Sequence, residues 1–420
     1  MPAEQQSIRP TRVSLRGLLL LARRNVIRQR ARSVTTLGAI AFGVACLILS
    51  EGFVQDTFVQ LGEAIIHSQS GHIQVARRGF FERGAHQPER YLIDYPDDQK
   101  KLIRSMESVT DAMARLNFAG VLGNGRADLA VIGEGIEPES ESKLGTFMKV
   151  VAGRNLLPTD KFGVLLGHGV ANALRLAPGD RATVVTNTSD GAMNTLDLEV
   201  VGVFRTFSKD YDSRAIKIPL GAAQQLLDTR GANVIVTLLA ATEETQEISA
   251  ALAQRLAVQG LEVRPWFELN DFYPKTVEMY RRQFGALQAV IFLLVILSVV
   301  NAVNATVFER MSEFGTIRAV GNRSREVFVM ILAENALLGL LGAGVGSMVG
   351  IVVAVAVSQV GIPMPPPPNS DLGYTAHIVV TATSLLNAFL IGIMATMLGA
   401  VIPAWRVSRT EIATALRQGT

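Results

Sequence analysis

The chain has 420 residues, 49% of them apolar, with a positive mean hydropathy of +0.29 and a net charge of +3. That is too apolar for an ordinary water-soluble protein and too polar for one built of membrane helices alone, so a mixed architecture is expected. So small a net charge gives nucleic-acid binding no support, and the single cysteine, Cys46, excludes an intramolecular disulfide and argues against a cysteine-based zinc site.

Residues 1–33 are strongly basic, with Arg9, Arg12, Arg16, Arg23, Arg24, Arg28, Arg30 and Arg32. The first apolar run, residues 34–55, holds no lysine or arginine. It has about the ~20 residues needed to cross ~30 Å of hydrocarbon. Too many residues precede it for the n-region of a cleaved signal peptide, and its apolar stretch is longer than a signal h-region. Cys46 follows Val44 and Ala45, faintly as at a lipoprotein cleavage site, but Gly43 stands where a leucine is expected.

Residues 56–282 carry both charge signs and read as one large α+β domain outside the bilayer. Gly71–Val75, Asp128–Ile132, Val164–Leu166, Thr183–Thr186, Leu196–Phe204, Val234–Leu239 and Leu261–Arg264 read as strands. Asp97 is expected to cap an amphipathic helix running to about Val109. Gly169–Leu176, Leu220–Leu227 and Thr242–Gln259 read as further helices, and Pro178-Gly179-Asp180 as a turn. The expected division is two lobes, one from residues 69–155 and 233–270, the other from 156–232 inserted into it. Segments 52–68 and 271–284 can continue the flanking membrane helices outward as a stalk.

Three more apolar runs follow, at 285–308, 327–357 and 378–402, again without lysine or arginine. Between the first two lies the charged loop 309–326, with Arg310, Arg318, Arg323 and Arg325. The tail 403–420 holds Arg406, Arg409 and Arg417, whereas the loop 358–377 has no lysine or arginine. Basic loops stay in the cytoplasm, so both termini and the loop 309–326 are expected there, with the large domain outside. Met364 and the prolines Pro365–Pro368 in the outer loop read as a stiff polyproline spacer.

Enzyme signatures are missing. No Gly-Lys dipeptide exists, so there is no GxxxxGK[ST] phosphate loop, and neither HExxH nor GxSxG occurs. His67 and His72 lack a third ligand nearby in sequence, and Gly344-Val345-Gly346 lies inside an apolar helix rather than after a strand. Gly342, Gly346 and Gly350 recur every fourth residue and let two helices approach closely in lipid. Packing within the chain and a subunit interface both fit that spacing. Glu51, Asn301, Asn304, Glu334 and Asn387 are the polar groups in or near the apolar runs. Placement near run ends, or hydrogen bonding between helices, accounts for them more plainly than an ion pathway does.

The segment Phe308–Gly321 is short, charged and of helical pattern. Phe314 and Ile317 share one face and Glu309 and Glu313 another, which suits an apolar knob ringed by charges and seated in a partner's groove. A solvated cytoplasmic loop is the plainer alternative.

The pattern Glu309-Arg310-x-x-Glu313-Phe314-Gly315-x-x-Arg318-Ala319-x-Gly321, after a membrane helix with Asn301, resembles the signature of the FtsX-type permeases, shared by the MacB and LolC/LolE transporters. Arg23-Arg24-Asn25-Val26-x-Arg28 with Arg32, Gly38 and Gly43 is similar to that family's basic N-terminal helix entering its first membrane helix. Gly167-x-Gly169-x-Ala171 through Pro178-Gly179-Asp180, then Val200–Phe204, resembles a MacB-type periplasmic core, and Pro403–Arg406 with Ala415–Arg417 the family's C-terminal end.

The resemblance implies an inner-membrane permease with four transmembrane helices and a two-lobed α+β periplasmic domain between the first and second. It implies pairing with a second copy or a paralogue, and docking of an ABC ATPase that binds ATP and Mg. This chain itself would bind no cofactor. By position, Glu309, Arg310, Glu313, Phe314, Gly315 and Arg318 would meet the ATPase. Residues 1–33 cannot hold the ATPase that MacB fuses ahead of its first membrane helix, so a separate subunit is expected. Ser70–Val75 looks more like the lipoprotein-release branch. The implied function is mechanical: ATP-driven closure moves the periplasmic domains, which release or export a lipoprotein, lipid-linked or peptide cargo. Membrane lipid and a periplasmic lipoprotein carrier or adaptor are the further implied partners. The alternative is a signalling permease that regulates a periplasmic partner such as a cell-wall hydrolase.

Overall fold

The computed structural model describes residues 30–84, 88–144, 147–188, 190–269, 272–365 and 373–417. The expected basic helix within residues 1–33 lies almost wholly outside them, as do Pro366–Pro368 of the proline run. The chain divides into two compact units, one holding residues 58–277 and 363–375, the other the remainder.

The second of these is helical. Among the described residues, four helices are long and apolar enough to cross a membrane. They are Arg30–Ile65, Phe272–Glu309, Ser324–Val360 and Ala382–Ser408. The first two extend well past the apolar runs 34–55 and 285–308, because the polar residues beyond still favour helix. At ~1.5 Å per residue they are each about 55 Å long, nearly twice the hydrocarbon thickness. Close packing depends on small residues. A Cβ on Gly43 would stand 2.2 Å from Val295 Cγ2, and one on Gly399 would stand 3.0 Å from the carbonyl oxygen of Ile296. Val44, Ile48, Val295, Val299, Ala343, Ala388 and Ala395 form the buried centre.

The large domain is a ten-stranded sheet. In chain order the strands are β1 (Ile73–Arg77), β2 (Val109–Gly123), β3 (Asp128–Ile136), β4 (Lys149–Gly153), β5 (Gly163–Gly167), β6 (Arg181–Asn187), β7 (Met193–Arg205), β8 (Ala215–Pro219), β9 (Val234–Leu239) and β10 (Leu261–Pro265). The order across it is β10-β1-β9-β2-β3-β8-β5-β7-β4, with β6 bridging β2 and β7. The pairs β3–β8 and β5–β7 are parallel and the rest antiparallel. β2 belongs to two sub-sheets. Residues 109–115 pair with β9, and residues 116–123 with β3.

The first sub-sheet is backed by helices Pro96–Arg104 and Thr245–Leu256, which bury Ile103, Leu252 and Leu256 against Ile73, Val75 and Ile235. The second is covered by His168–Leu174 and Leu220–Leu227, which bury Val170, Leu174 and Leu226 against Leu116, Phe118, Val164 and Ile216.

Three expectations are corrected here. The second sub-sheet takes in the C-terminal half of β2, β3 and β4, so it begins near residue 116 rather than 156. The helix expected to reach Val109 stops at Arg104, and Val109 is instead the first residue of β2. Ser108, at φ +73°, makes the turn between them. Pro96, not Asp97, opens that helix: Tyr95 is its cap residue, and Asp97 lies in the first turn, 2.8 Å from Lys100.

Candidate functional site

The cytoplasmic-type loop of the sequence folds as a helix, Met311–Ala319, directly after the second membrane helix. Arg310 forms the corner between them. Its guanidinium is buried and grips Glu334 of the third membrane helix with Nη1 at 2.8 and 3.0 Å from the two carboxylate oxygens. Nε donates to Glu313 at 3.0 Å, and the guanidinium carbon lies 5.1 Å from the Phe314 ring centre. All five of its donors cannot leave water unless such partners receive them. Arg318 donates through Nη1 to the carbonyl of Thr410, tying the helix to the C-terminal segment.

Of the six residues expected at an ATPase contact, Glu309 and Glu313 are exposed, whereas Arg310, Phe314 and Gly315 are buried and Arg318 is half-buried. Phe314 is 2% exposed and packs in the centre of the helical unit with Val307, Val327 and Ile331. The knob expectation is therefore corrected: Phe314 anchors the loop from within. The apolar side chain that projects is Val320, 84% exposed, beside Gly321 at φ +110°. Sequence periodicity could not reveal this, because an apolar residue in a short charged helix faces inward or outward according to its neighbours.

The glycines of the third helix pack within the chain. Cβ atoms on Gly342, Gly346 and Gly350 would meet Ile40 at 2.9 Å, the Ala41 carbonyl at 2.6 Å and Ile48 at 3.1 Å, all on the first helix. Glu51 lies beside Asn387 of the fourth helix. Asn301 and Asn304 are exposed. They lie on a seam of the second helix with Leu287, Val290, Leu294, Leu297 and Phe308, alternately three and four residues apart and all exposed. That is a heptad spacing with polar groups in the seam.

At the other end of the first helix, a π turn, Ile66–Ser70, leads through Gly71 at φ +65° into β1. This junction is held by a hydrogen-bonded chain. Leu239 N donates to His72 Nδ1 at 3.2 Å, so Nε2 carries the proton and donates to Thr242 Oγ1 at 3.0 Å. Thr242 Oγ1 donates to Glu63 Oε1 at 2.6 Å, and Glu63 Oε2 is 3.2 Å from His67 Nε2. Burial, with the neighbouring His67, holds the His72 pKa down to about 4, so the ring is neutral near pH 7. Gly62 leaves room for the indole of Trp266, which meets Tyr273 edge to face at 4.5 Å. Both helices flanking the large domain thus enter it through specific side-chain contacts.

Deeper in the domain, Arg115, Glu134, Glu141 and Lys217 form a buried charged cluster that sequence inspection did not single out. For Glu141, burial alone would raise the pKa, but Arg115 and Lys217 outweigh it and hold the carboxyl well below its usual range.

Two families match the chain. The MacB-like periplasmic core domain covers residues 33–255, and the FtsX-like permease C-terminal family covers 285–412. The chain is 24% identical over 416 residues to the lipoprotein-releasing system transmembrane protein LolC of Neisseria meningitidis serogroup B, spanning 92% of this chain and 94% of that one. It is 23% identical over 407 residues to the macrolide export ATP-binding/permease protein MacB of Nitrobacter winogradskyi, spanning 92% of this chain and 58% of that one. Among solved structures, the periplasmic region of MacB from Actinobacillus actinomycetemcomitans aligns with a TM-score of 0.36 and 15% identity, over 51% of this chain and 95% of that one. The two matched regions take in the first apolar helix and most of the large α/β domain on one side and most of the other three apolar helices on the other, and the chain belongs to the ABC transporter permeases that combine a MacB-like periplasmic core with an FtsX-like C-terminal part.

Proposed function

We propose that this permease is a mechanical transmission: an ABC ATPase docks on the loop around Met311–Ala319, and its ATP-driven closure moves the large domain, which releases or exports a lipoprotein, lipid-linked or peptide cargo. ATP and Mg are bound by that ATPase. Two permeases, either two copies or a copy and a paralogue, form the assembly. The basic residues flanking the helices support an inner-membrane placement with both termini cytoplasmic and the large domain periplasmic.

The observation that carries this reading is the length of two helices. Arg30–Ile65 and Phe272–Glu309 have 36 and 38 residues, far more than a bilayer needs, and each runs without a break toward the large domain. A continuous helix carries displacement along its axis, because its backbone hydrogen bonds are all internal. The similarity to LolC along nearly its whole length favours a lipoprotein among the possible cargoes.

The test is site-specific photo-crosslinking in membranes energised with ATP, using probes at residues 56–68 and 272–282. Capture of lipoprotein that depends on ATP supports the reading. Capture of a soluble cell-wall hydrolase alone overturns transport in favour of signalling.

A further inference from the structure

Arg115 is the last residue of β2 to pair with β9, opposite Val234, and Leu116 is the first to pair with β3, opposite Gly135. The strand therefore changes sub-sheet between these two residues. The Arg115 guanidinium, 3% exposed, reaches three other segments. Its Nη2 donates to the two Glu141 oxygens at 2.8 and 3.0 Å, on helix Pro138–Leu144, which follows β3. Its Nη1 donates to the backbone carbonyl of Gln69, within the π turn that ends the first membrane helix, and stands 3.8 Å from Glu134 of β3. Lys217 of β8 completes the cluster, fully buried, 2.5 Å from Glu141 and 3.4 Å from Glu134. The Tyr211 hydroxyl donates to Glu134 at 2.7 Å.

Two cations and two anions make the cluster neutral. Clusters of this kind are weak stabilisers, because apolar residues of similar volume often serve as well or better. The residues around Arg115 show that apolar packing is available here: Ala112, Met113, Ala114 and Leu116 are all fully buried. What the charges add is direction. A planar guanidinium holds a carboxylate and a carbonyl at once in fixed geometry, which neither a lysine nor an aliphatic side chain can do. A π turn at the contact is the kind of helix irregularity that recurs at functional sites.

We propose that Arg115 is a positioning residue that links the turn Ile66–Ser70 to the second sub-sheet, so that displacement of the first membrane helix changes the angle between the two sub-sheets at the Arg115–Leu116 switch. This rests on the transmission reading above. Movement of the helix end pulls the Gln69 carbonyl, the guanidinium follows, and Glu141 carries its helix and β3 with it.

The experiment uses the full chain, with Cys46→Ser, assembled with its ABC ATPase in lipid. Spin labels are placed at Val258, beside the first sub-sheet, and Met193, on β7 of the second, both well exposed. The distance between them is measured without nucleotide and with ATP plus vanadate. The wild-type distance is expected to change. Arg115→Lys keeps the charge but cannot hold Glu141 and the Gln69 carbonyl together, so the change should fall at least twofold while ATP hydrolysis stays within twofold. Arg115→Met combined with Glu141→Gln, which leaves Lys217 and Glu134 balanced, should abolish it in a folded protein. A merely structural role would lower the unfolding temperature and leave the nucleotide-linked change intact. An unaltered change in both variants overturns the inference alone. No nucleotide-linked change in the wild type overturns the transmission reading and the inference with it.

Discussion

Arg310 and Glu334 form a buried ion pair, 2.8 and 3.0 Å from Nη1 to the two carboxylate oxygens, that fastens the loop after the second membrane helix to the third. Removing one partner strands the other as an uncompensated buried charge, at a cost of roughly 3 kcal/mol or more. Glu334→Ala should therefore lower the unfolding temperature markedly in detergent. Arg310→Met with Glu334→Leu should regain most of that stability, yet hydrolysis and transport should remain uncoupled because the loop is no longer held in place. Equal stability of the single and double variants would refute the pairing.

The loop's inward and outward residues separate in their effects. Phe314→Ala empties a filled site and should destabilise the helical unit by about 3 kcal/mol. Val320 is 84% exposed, so Val320→Asp should leave the unfolding temperature within a degree or two while association with the ATPase weakens at least tenfold. Co-purification with the ATPase measures the second effect and thermal unfolding the first. If Val320→Asp binds normally, the projecting end of this helix is not the docking surface.

Gly346 and Gly344 differ by two positions and should differ in tolerance. A Cβ at 346 would lie 2.6 Å from the Ala41 carbonyl, which is backbone and cannot turn aside. Gly346→Val should cost about 2 kcal/mol or prevent assembly of the helices. At 344 a Cβ would meet nothing beyond its own stretch of helix within 4 Å, and Gly344→Ala should be neutral or slightly stabilising in an exposed helix position.

The exposed seam of the second helix gives a test of pairing. In a Cys46→Ser background, single cysteines at Leu294, Leu297 and Asn301 should form disulfides between two copies in native membranes. A cysteine at Met348, on the exposed apolar face of the third helix, should not. Equal cross-linking at all four sites would remove the seam as an interface, and cross-links to a chain of different mass would identify a paralogue as the partner.

The junction at His72 should respond to acid. Its pKa falls from the ordinary 6.5 to about 4 on folding, so the unfolded chain takes up the proton first as pH drops. The contribution is fully present above pH 6.5 and is lost between 6.5 and 4. At 1.36 kcal/mol per pH unit it amounts to about 3 kcal/mol at most. Glu63, His67 and Glu243 are the charged or titratable groups that face the same ring. His72→Gln should flatten the fall in unfolding temperature between pH 6.5 and 4.5; an unchanged slope would mean that other groups carry the acid sensitivity.

The membrane helices were legible in the sequence because each is a long run without lysine or arginine, and most strands because they are short apolar runs bounded by turns. β2 was not. Asp111, Arg115 and Asn117 interrupt its pattern, yet the two charges are paired with residues distant in sequence, Lys143 for Asp111 and Glu141 for Arg115, and Asn233 holds the backbone of Asn117. A strand whose polar residues are neutralised only by the finished fold reads as loop until that fold is known. The glycine repeat was equally visible, but spacing tells only that something comes close. It took Ile40, Ala41 and Ile48 opposite to show that the neighbour is the chain's own first helix.

That glycine face has a mechanical consequence. With glycines of the third helix seated directly on Ile40, Ala41 and Ile48 of the first, the two helices cannot slide or roll past one another without collision. The third helix is also the one that Glu334 clamps to the loop. A push on the loop therefore has a second way out besides the helix it is attached to: across the ion pair, sideways through the interlocked helices, and along the first helix to Ile65. On the transmission reading proposed above, the permease would then work less as a single piston than as a pair of rods driven from one crank.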